Sequence, residues 1–167
     1  MFTKIDEFLG AWKQLSDGTG KFMDALTDES LSQSVNADHR TLGRIAFHIA
    51  QTVGEMMEQT GLKLEGPGKE SSMPSTAAEI RDSYKTAAGS LYSQIKDNWN
   101  DETLLIEDDL YAEKWAKGRT LRILIDHEIH HRGQMTVLMR QAGLQVPGLY
   151  GPSKEEWTQY KMDAPKI

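Results

Sequence analysis

The chain has 167 residues, 38% hydrophobic and 26% charged, which suits one folded domain over 1–167 and argues against disorder. A net charge of −6 and a pI near 5.4, with no Lys/Arg-rich run, argue against nucleic-acid binding. Cysteine is absent, which removes disulfides, thiolate metal ligands and a cysteine nucleophile. The N-terminal Met1-Phe2-Thr3-Lys4-Ile5-Asp6 has no unbroken apolar run, and no stretch approaches the ~18 apolar residues of a membrane span. A cytoplasmic protein that does not enter membranes is expected.

Phe2, Ile5, Phe8, Leu9, Trp12 and Leu15 recur at helical steps. Phe22 and Leu26 extend this first helix if it survives Gly18 and Gly20. A second helix is expected over Thr41–Thr60, with Leu42, Ile45, Ile49, Val53 and Met56 inward and Gly61 as its stop. Residues 66–74, rich in Gly, Pro and Ser, form the clearest loop. Thr76 and Glu79 read as a capping box for a third helix, whose apolar line is Ile80, Tyr84, Ala87 or Ala88, Leu91 and Ile95. Asn98–Arg119 reads as irregular and acidic. Thr120 then opens a fourth helix, with Leu121, Leu124, Met135, Leu138 and Ala142 inward and Gly143 as the stop. A tail with Pro147 and Pro152 leads to a short helix, for which Ser153 and Glu156 form a capping box. No strand alternation and no repeat is evident. The expectation is an all-α four-helix bundle with a short C-terminal helix. Facing helices of such a bundle can hold a metal in the core.

The fourth helix carries Asp126-His127-Glu128-Ile129-His130-His131-Arg132-Gly133-Gln134, with three of the chain's five histidines. His127 and His131 are four apart, so they stack on one helix face about 5–6 Å apart at Cβ. His131 lies near the centre of the apolar stripe and His127 about 50° from it, whereas His130 falls roughly 100° or more away. Buried polar groups need partners, and one divalent ion would serve both inward imidazoles. The third ligand should come from another helix. His48 sits inside the second helix, in line with Thr52 and Glu55, and is the best choice; Glu55 is the fallback. His39 precedes that helix. Three imidazoles with an open fourth position make a catalytic type of coordination, since a structural zinc site is closed by four ligands. Nitrogen-rich ligation suits zinc, nickel, iron(II) or copper.

His127-Glu128-x-x-His131 also matches the H-E-x-x-H signature of zinc metalloproteases, with Glu128 as general base. No histidine follows His131 and no sheet is expected to line a peptide cleft, so the protease reading is the weaker one. Glu128 remains an auxiliary base, a group that supports the ligands, or a solvated helix carboxylate. Gln134 lies near the His127 line and is placed to orient a ligand or bridge helices. Arg132 is expected to face outward or to pair with Glu128 or Asp126. Gly133 costs about 1 kcal/mol against alanine in mid-helix, which points to close approach by another helix or a ligand.

The run His127-x-x-x-His131-Arg132-Gly133-Gln134, with His48 upstream, resembles the DinB-like (YfiT-type) metalloenzymes. Leu42-Gly43-Arg44-Ile45-Ala46-Phe47-His48-Ile49-Ala50 and the tail from Gly143-Leu144 to Tyr150-Gly151 are similar to that family too. The resemblance spans nearly the whole chain. It implies an up-down-down-up bundle, a divalent metal (zinc or nickel first, iron next) on His48, His127 and His131, and homodimerisation. Relatives include S-transferases and isomerases that use a low-molecular-weight thiol such as bacillithiol or mycothiol. A thiol must be deprotonated to attack, a bound metal does this, and a chain without cysteine must receive its thiol from a cofactor. The resemblance therefore implies a metal-dependent thiol S-transferase. The competing class is a noncatalytic metal-binding or stress-response dimeric bundle.

Overall fold

The computed structural model describes residues 1–166. Four helices, α1 (Ile5–Asp24), α2 (Leu42–Glu58), α3 (Ala77–Asn98) and α4 (Lys117–Gln141), surround one apolar core. Trp12, Phe8, Phe22, Phe47 and Tyr84 are its largest fully buried side chains. The indole of Trp12 donates to the Ala88 carbonyl at 3.1 Å, so this bulky group enters the core with its polar atom satisfied.

Helix directions follow from contacts at the ends. The Phe2 amide donates to the Gly118 carbonyl at 3.0 Å, so α1 and α4 begin at the same end. The Asp28 carboxylate accepts from the Ala77 amide at 2.7 Å, so α3 begins where α1 finishes. Lys117 reaches the Thr60 carbonyl at 2.7 Å, which sets the end of α2 beside the start of α4. The result is an up-down-down-up bundle, with α1 packed on α3 and α4, and α2 on the same two helices. The parallel pair α2–α3 needs a long return, supplied by residues 59–76. This loop runs back along α2: Pro67 lies against Gly54, where a Cβ would stand 2.8 Å from the Pro67 carbonyl. The Gln51 amide then donates to the Ser71 carbonyl at 2.9 Å.

The start signals of α2 and α3 and the glycine stops act as expected. Thr41 caps α2 by accepting from the Arg44 amide, and Thr76 with Glu79 closes both halves of a capping box on α3. Gly61 (φ 86°) and Gly143 (φ 76°) take left-handed backbone where α2 and α4 end. α1 does continue through Gly18 and Gly20.

Two expectations change. Asn98–Arg119 is ordered: a 3-10 turn (Glu102–Leu105) leads into an antiparallel hairpin of β1 (Glu107–Leu110) and β2 (Glu113–Ala116), in which Asp108 opposes Trp115. Its two-residue turn places Tyr111 (φ 50°) and Ala112 (φ 64°) in left-handed backbone, a conformation normally signalled by Asn-Gly. Neither residue carries that signal. The hairpin feeds α4 directly, so α4 opens at Lys117, three residues before Thr120. Lys117 is buried there, with its ammonium 2.6 Å from Asp108 and over the Trp99 ring. The C-terminal element is a single 3-10 turn (Trp157–Tyr160). Glu156 accepts from the Ser153 amide as one half of the expected box, and its other oxygen accepts from the Gly148 amide at 3.0 Å.

Candidate metal centre

Packing α2 against α4 brings His48 to the histidine pair of α4. One nitrogen from each of His48, His127 and His131 lies within 4.8 Å of the other two. Ring centroids are 5.1 Å apart for His48 and His127, 4.7 Å for His48 and His131, and 4.4 Å for His127 and His131. The rings meet edge to face, so their nitrogens converge and do not stack. His48 and His127 are half-buried and His131 is buried.

Nε2 of His127 and Nε2 of His131 stand 3.1 Å apart. Two ligands at 2.0–2.1 Å from a tetrahedral ion lie about 3.3 Å apart, so this pair is already near a coordinating separation. The hydrogen bond on the far side of His131 agrees. Its Nδ1 lies 2.8 Å from the Gln134 carbonyl oxygen, which can only accept, so the proton sits on Nδ1 and the Nε2 lone pair faces the centre. Burial, the neighbouring imidazoles and Arg40 lower the His48 pKa to about 4. Burial and the imidazoles of His131 and His130 lower that of His127 to about 4 as well. Burial also lowers His131, against the opposing hydrogen bond from Gln134. All three are neutral at pH 7, as metal ligation requires. The donor set fits a divalent transition metal.

The remaining histidines stay outside. His130 is exposed and its Nε2 lies 3.1 Å from the Gln134 amide nitrogen, so Gln134 bridges it to His131. His39 is exposed and bonded to Asn36. Glu55 is not part of the cluster.

Glu128 is not a solvated carboxylate: it is 1% exposed and turned into the seam between α1 and α3. One oxygen accepts from the Thr19 hydroxyl at 2.6 Å and the Tyr84 hydroxyl at 2.7 Å; the other has no partner. Burial raises its pKa, against the hydrogen bonds and the charge of Arg132. Arg132 does not face outward either. It is 4% exposed and donates to the Leu15 carbonyl, the Thr19 hydroxyl and the Tyr150 hydroxyl, while Asp126 pairs with Arg122. Sequence reasoning took Tyr84 for an apolar core position and gave Thr19 no role. The small residues Gly18 and Gly20 around Thr19 were the one available hint of close approach, and Gly18 does pack under Leu149 and Arg132. Gly133 has no such neighbour: a Cβ there would meet nothing within 4 Å.

The DinB family model matches residues 1–164. The chain belongs to the DinB family. It is 43% identical over 167 residues to YrdA of Bacillus subtilis (strain 168), a match that covers 100% of both chains. The crystal structure of a DinB-like protein from Bacillus cereus ATCC 10987 is similar with a TM-score of 0.86 and 42% identity, covering 90% of this chain and 100% of that one. A second DinB-like protein, YjoA of Bacillus subtilis, shares the fold at a TM-score of 0.69 and 18% identity, covering 86% of this chain and 97% of that one. Among the described residues no helix is long and apolar enough to cross a membrane.

Proposed function

We propose that this DinB-family protein binds one divalent metal per chain on His48, His127 and His131 and is a metal-dependent transferase that joins a low-molecular-weight thiol to an electrophile. The convergence of three neutral imidazoles, with no fourth histidine or carboxylate in the cluster among the described residues, carries this reading. A bound divalent ion supplies Lewis acidity that favours the thiolate over the thiol. The thiol gives up its S–H proton to solvent, its sulfur forms the new C–S bond, and the leaving group departs with its bonding pair.

The protein's own residues hold this arrangement. Gln134 fixes the tautomer of His131. Glu128, with Thr19 and Tyr84, anchors the α4 turn that carries two of the ligands. On this reading Glu128 is an auxiliary group and not the principal base. The cytoplasm, where small thiols are kept reduced, is the matching compartment. A homodimer is part of the proposal, because Ile129 and Val137 stand exposed one turn on either side of the bare Gly133 on α4.

The test mixes metal-loaded protein with bacillithiol, mycothiol, coenzyme A or glutathione and a panel of electrophiles. Thiol-conjugate formation that stops on chelation and returns with metal supports the transferase. If no thiol perturbs the spectrum of cobalt-substituted protein, the noncatalytic metal-binding bundle becomes the better account.

A further inference from the structure

Beside the metal centre a cleft of about 490 Å³ opens between the segment 35–40 and α4, and His131 forms part of its wall. That size suits a small-molecule site. Ile45 and Leu138 form apolar parts of its lining, and Val35 and Val137, 62% and 53% exposed, leave further apolar surface open to solvent. Arg40 stands in the same lining. Among the described residues it has no ion-pair partner. The other cation at the start of α2, Arg44, is engaged by the Gln51 carbonyl at 2.7 Å and lies over the Phe47 ring. Asp38, the acidic residue of the lining, makes no ion pair with Arg40. Asn36 braces this segment: its side-chain oxygen accepts from the Asp38 amide at 3.0 Å and lies 2.6 Å from His39 Nδ1.

We propose that this cleft is the thiol subsite of the transferase and selects a thiol that carries an apolar body and an anionic group paired by Arg40. The inference rests on the metal-thiol reading above and adds the substrate class. Charge balance supports it. Three neutral imidazoles leave a divalent ion with its full charge. A thiolate offsets one unit of that charge, and a second anionic group offsets part of what remains together with Arg40. Arg40 and His131 share the lining of the cleft, so the guanidinium charge stands on the same side as the centre. The apolar lining meets the body of the ligand, so the thiol end reaches the imidazoles while the anion stays at the Arg40 side.

The experiment uses cobalt-loaded full-length protein and two probes, 2-mercapto-3-phenylpropionate and its carboxamide. They share thiol and ring and differ in charge. Binding is read from the cobalt–thiolate absorption band. The acid should bind roughly tenfold tighter than the amide, as expected for a charge-assisted contact. Arg40→Ala should bring the two probes level, Arg40→Lys should keep part of the preference, and both variants should keep full cobalt content. Equal binding of the two probes to the wild-type protein overturns the assignment. So does a preference that survives Arg40→Ala, because the carboxylate would then be sitting on the metal. If neither probe gives the band, the thiol reading itself fails, and the subsite falls with it.

Discussion

The Gln134 carbonyl accepts from Nδ1 of His131 at 2.8 Å, while Nε2 of the same ring points at Nε2 of His127, 3.1 Å away. One side chain outside the ligand set thus fixes which nitrogen of His131 is free. Supporting groups of this kind typically alter metal affinity about 10–100-fold. Replacing His48, His127 or His131 with alanine should empty the site in metal analysis. Gln134→Ala should retain a full equivalent at saturating metal but weaken its affinity by roughly tenfold. His130→Ala should leave the content unchanged. Equal metal loss from His130→Ala, with none from His48→Ala, would reverse the ligand assignment.

The imidazoles also set a pH dependence. In the unfolded chain a histidine titrates near about 6.5. In the folded apoprotein burial holds His48 and His127 at about 4. Between these values the unfolded chain binds more protons, so stability falls as pH drops from about 6.5 towards about 4. A divalent ion that bound the native state alone would oppose this by about 4 kcal/mol at a ligand concentration a thousand times Kd. Chelated protein should remain helical, melt lower than the loaded form, and lose melting temperature over that pH range. His48→Gln should flatten the apoprotein's curve. A chelator that strips the ion without moving the transition contradicts the linkage.

Much of this was legible in the sequence because it rests on short-range rules. The apolar line Ile80, Tyr84, Ala87, Leu91 and Ile95 is buried as a line, and the Thr76–Glu79 box forms as written. The spacing of His127 and His131 marks one face of α4. What was not legible depends on distant partners or on backbone that lacks its usual residues. Tyr111-Ala112 turns a hairpin without asparagine or glycine, and its first strand is tied to the start of α4 by the Asp108–Lys117 contact. Glu128 looked like any helix carboxylate, because its partners Thr19 and Tyr84 lie 109 and 44 residues away.

Lys117 ties that hairpin to the start of α4. Its ammonium is held by Asp108 at 2.6 Å and by the Thr60 carbonyl at 2.7 Å, and both ionic side chains are largely buried. Removing one partner of a buried pair strands the other charge, at a cost of about 3–5 kcal/mol. Lys117→Met should therefore destabilise the fold by about 3 kcal/mol in urea unfolding. Lys117→Met with Asp108→Leu should recover much of the loss. A double variant as unstable as the sum of the single ones would place the effect in the Thr60 and Trp99 contacts.

Gly133 tests the proposed dimer. A Cβ there meets nothing in the monomer, so Gly133→Ala should stabilise the helix by about 1 kcal/mol, provided nothing else packs on this face. If a second copy crosses α4 at the bare glycine between Ile129 and Val137, Gly133→Leu should shift sedimentation towards monomer. Unchanged sedimentation in both variants would place the interface elsewhere.

Glu128 separates a structural anchor from a chemical base. Its paired oxygen receives two hydroxyl donors, and its other oxygen is buried without a partner. Burial raises its pKa, so its carboxyl contributes stability at low pH that is lost as pH rises through the folded value, opposite in sign to the histidines. Glu128→Gln keeps an acceptor for Thr19 and Tyr84 and removes the charge. It should unfold within about 1 kcal/mol of wild type or above it at neutral pH, with a flatter pH dependence, because each neutral hydrogen bond has a modest net value. Glu128→Ala strands two buried hydroxyls and leaves a cavity, and should cost about 2–4 kcal/mol. Both variants should keep the metal, since Glu128 bonds to α1 and α3 and stands outside the triad. Thiol transfer at the wild-type rate by Glu128→Gln would mark the carboxylate as an anchor, whereas slower transfer with unchanged binding of thiol to cobalt would give it a chemical role. Loss of metal from Glu128→Gln at full stability would instead make the carboxylate part of the centre.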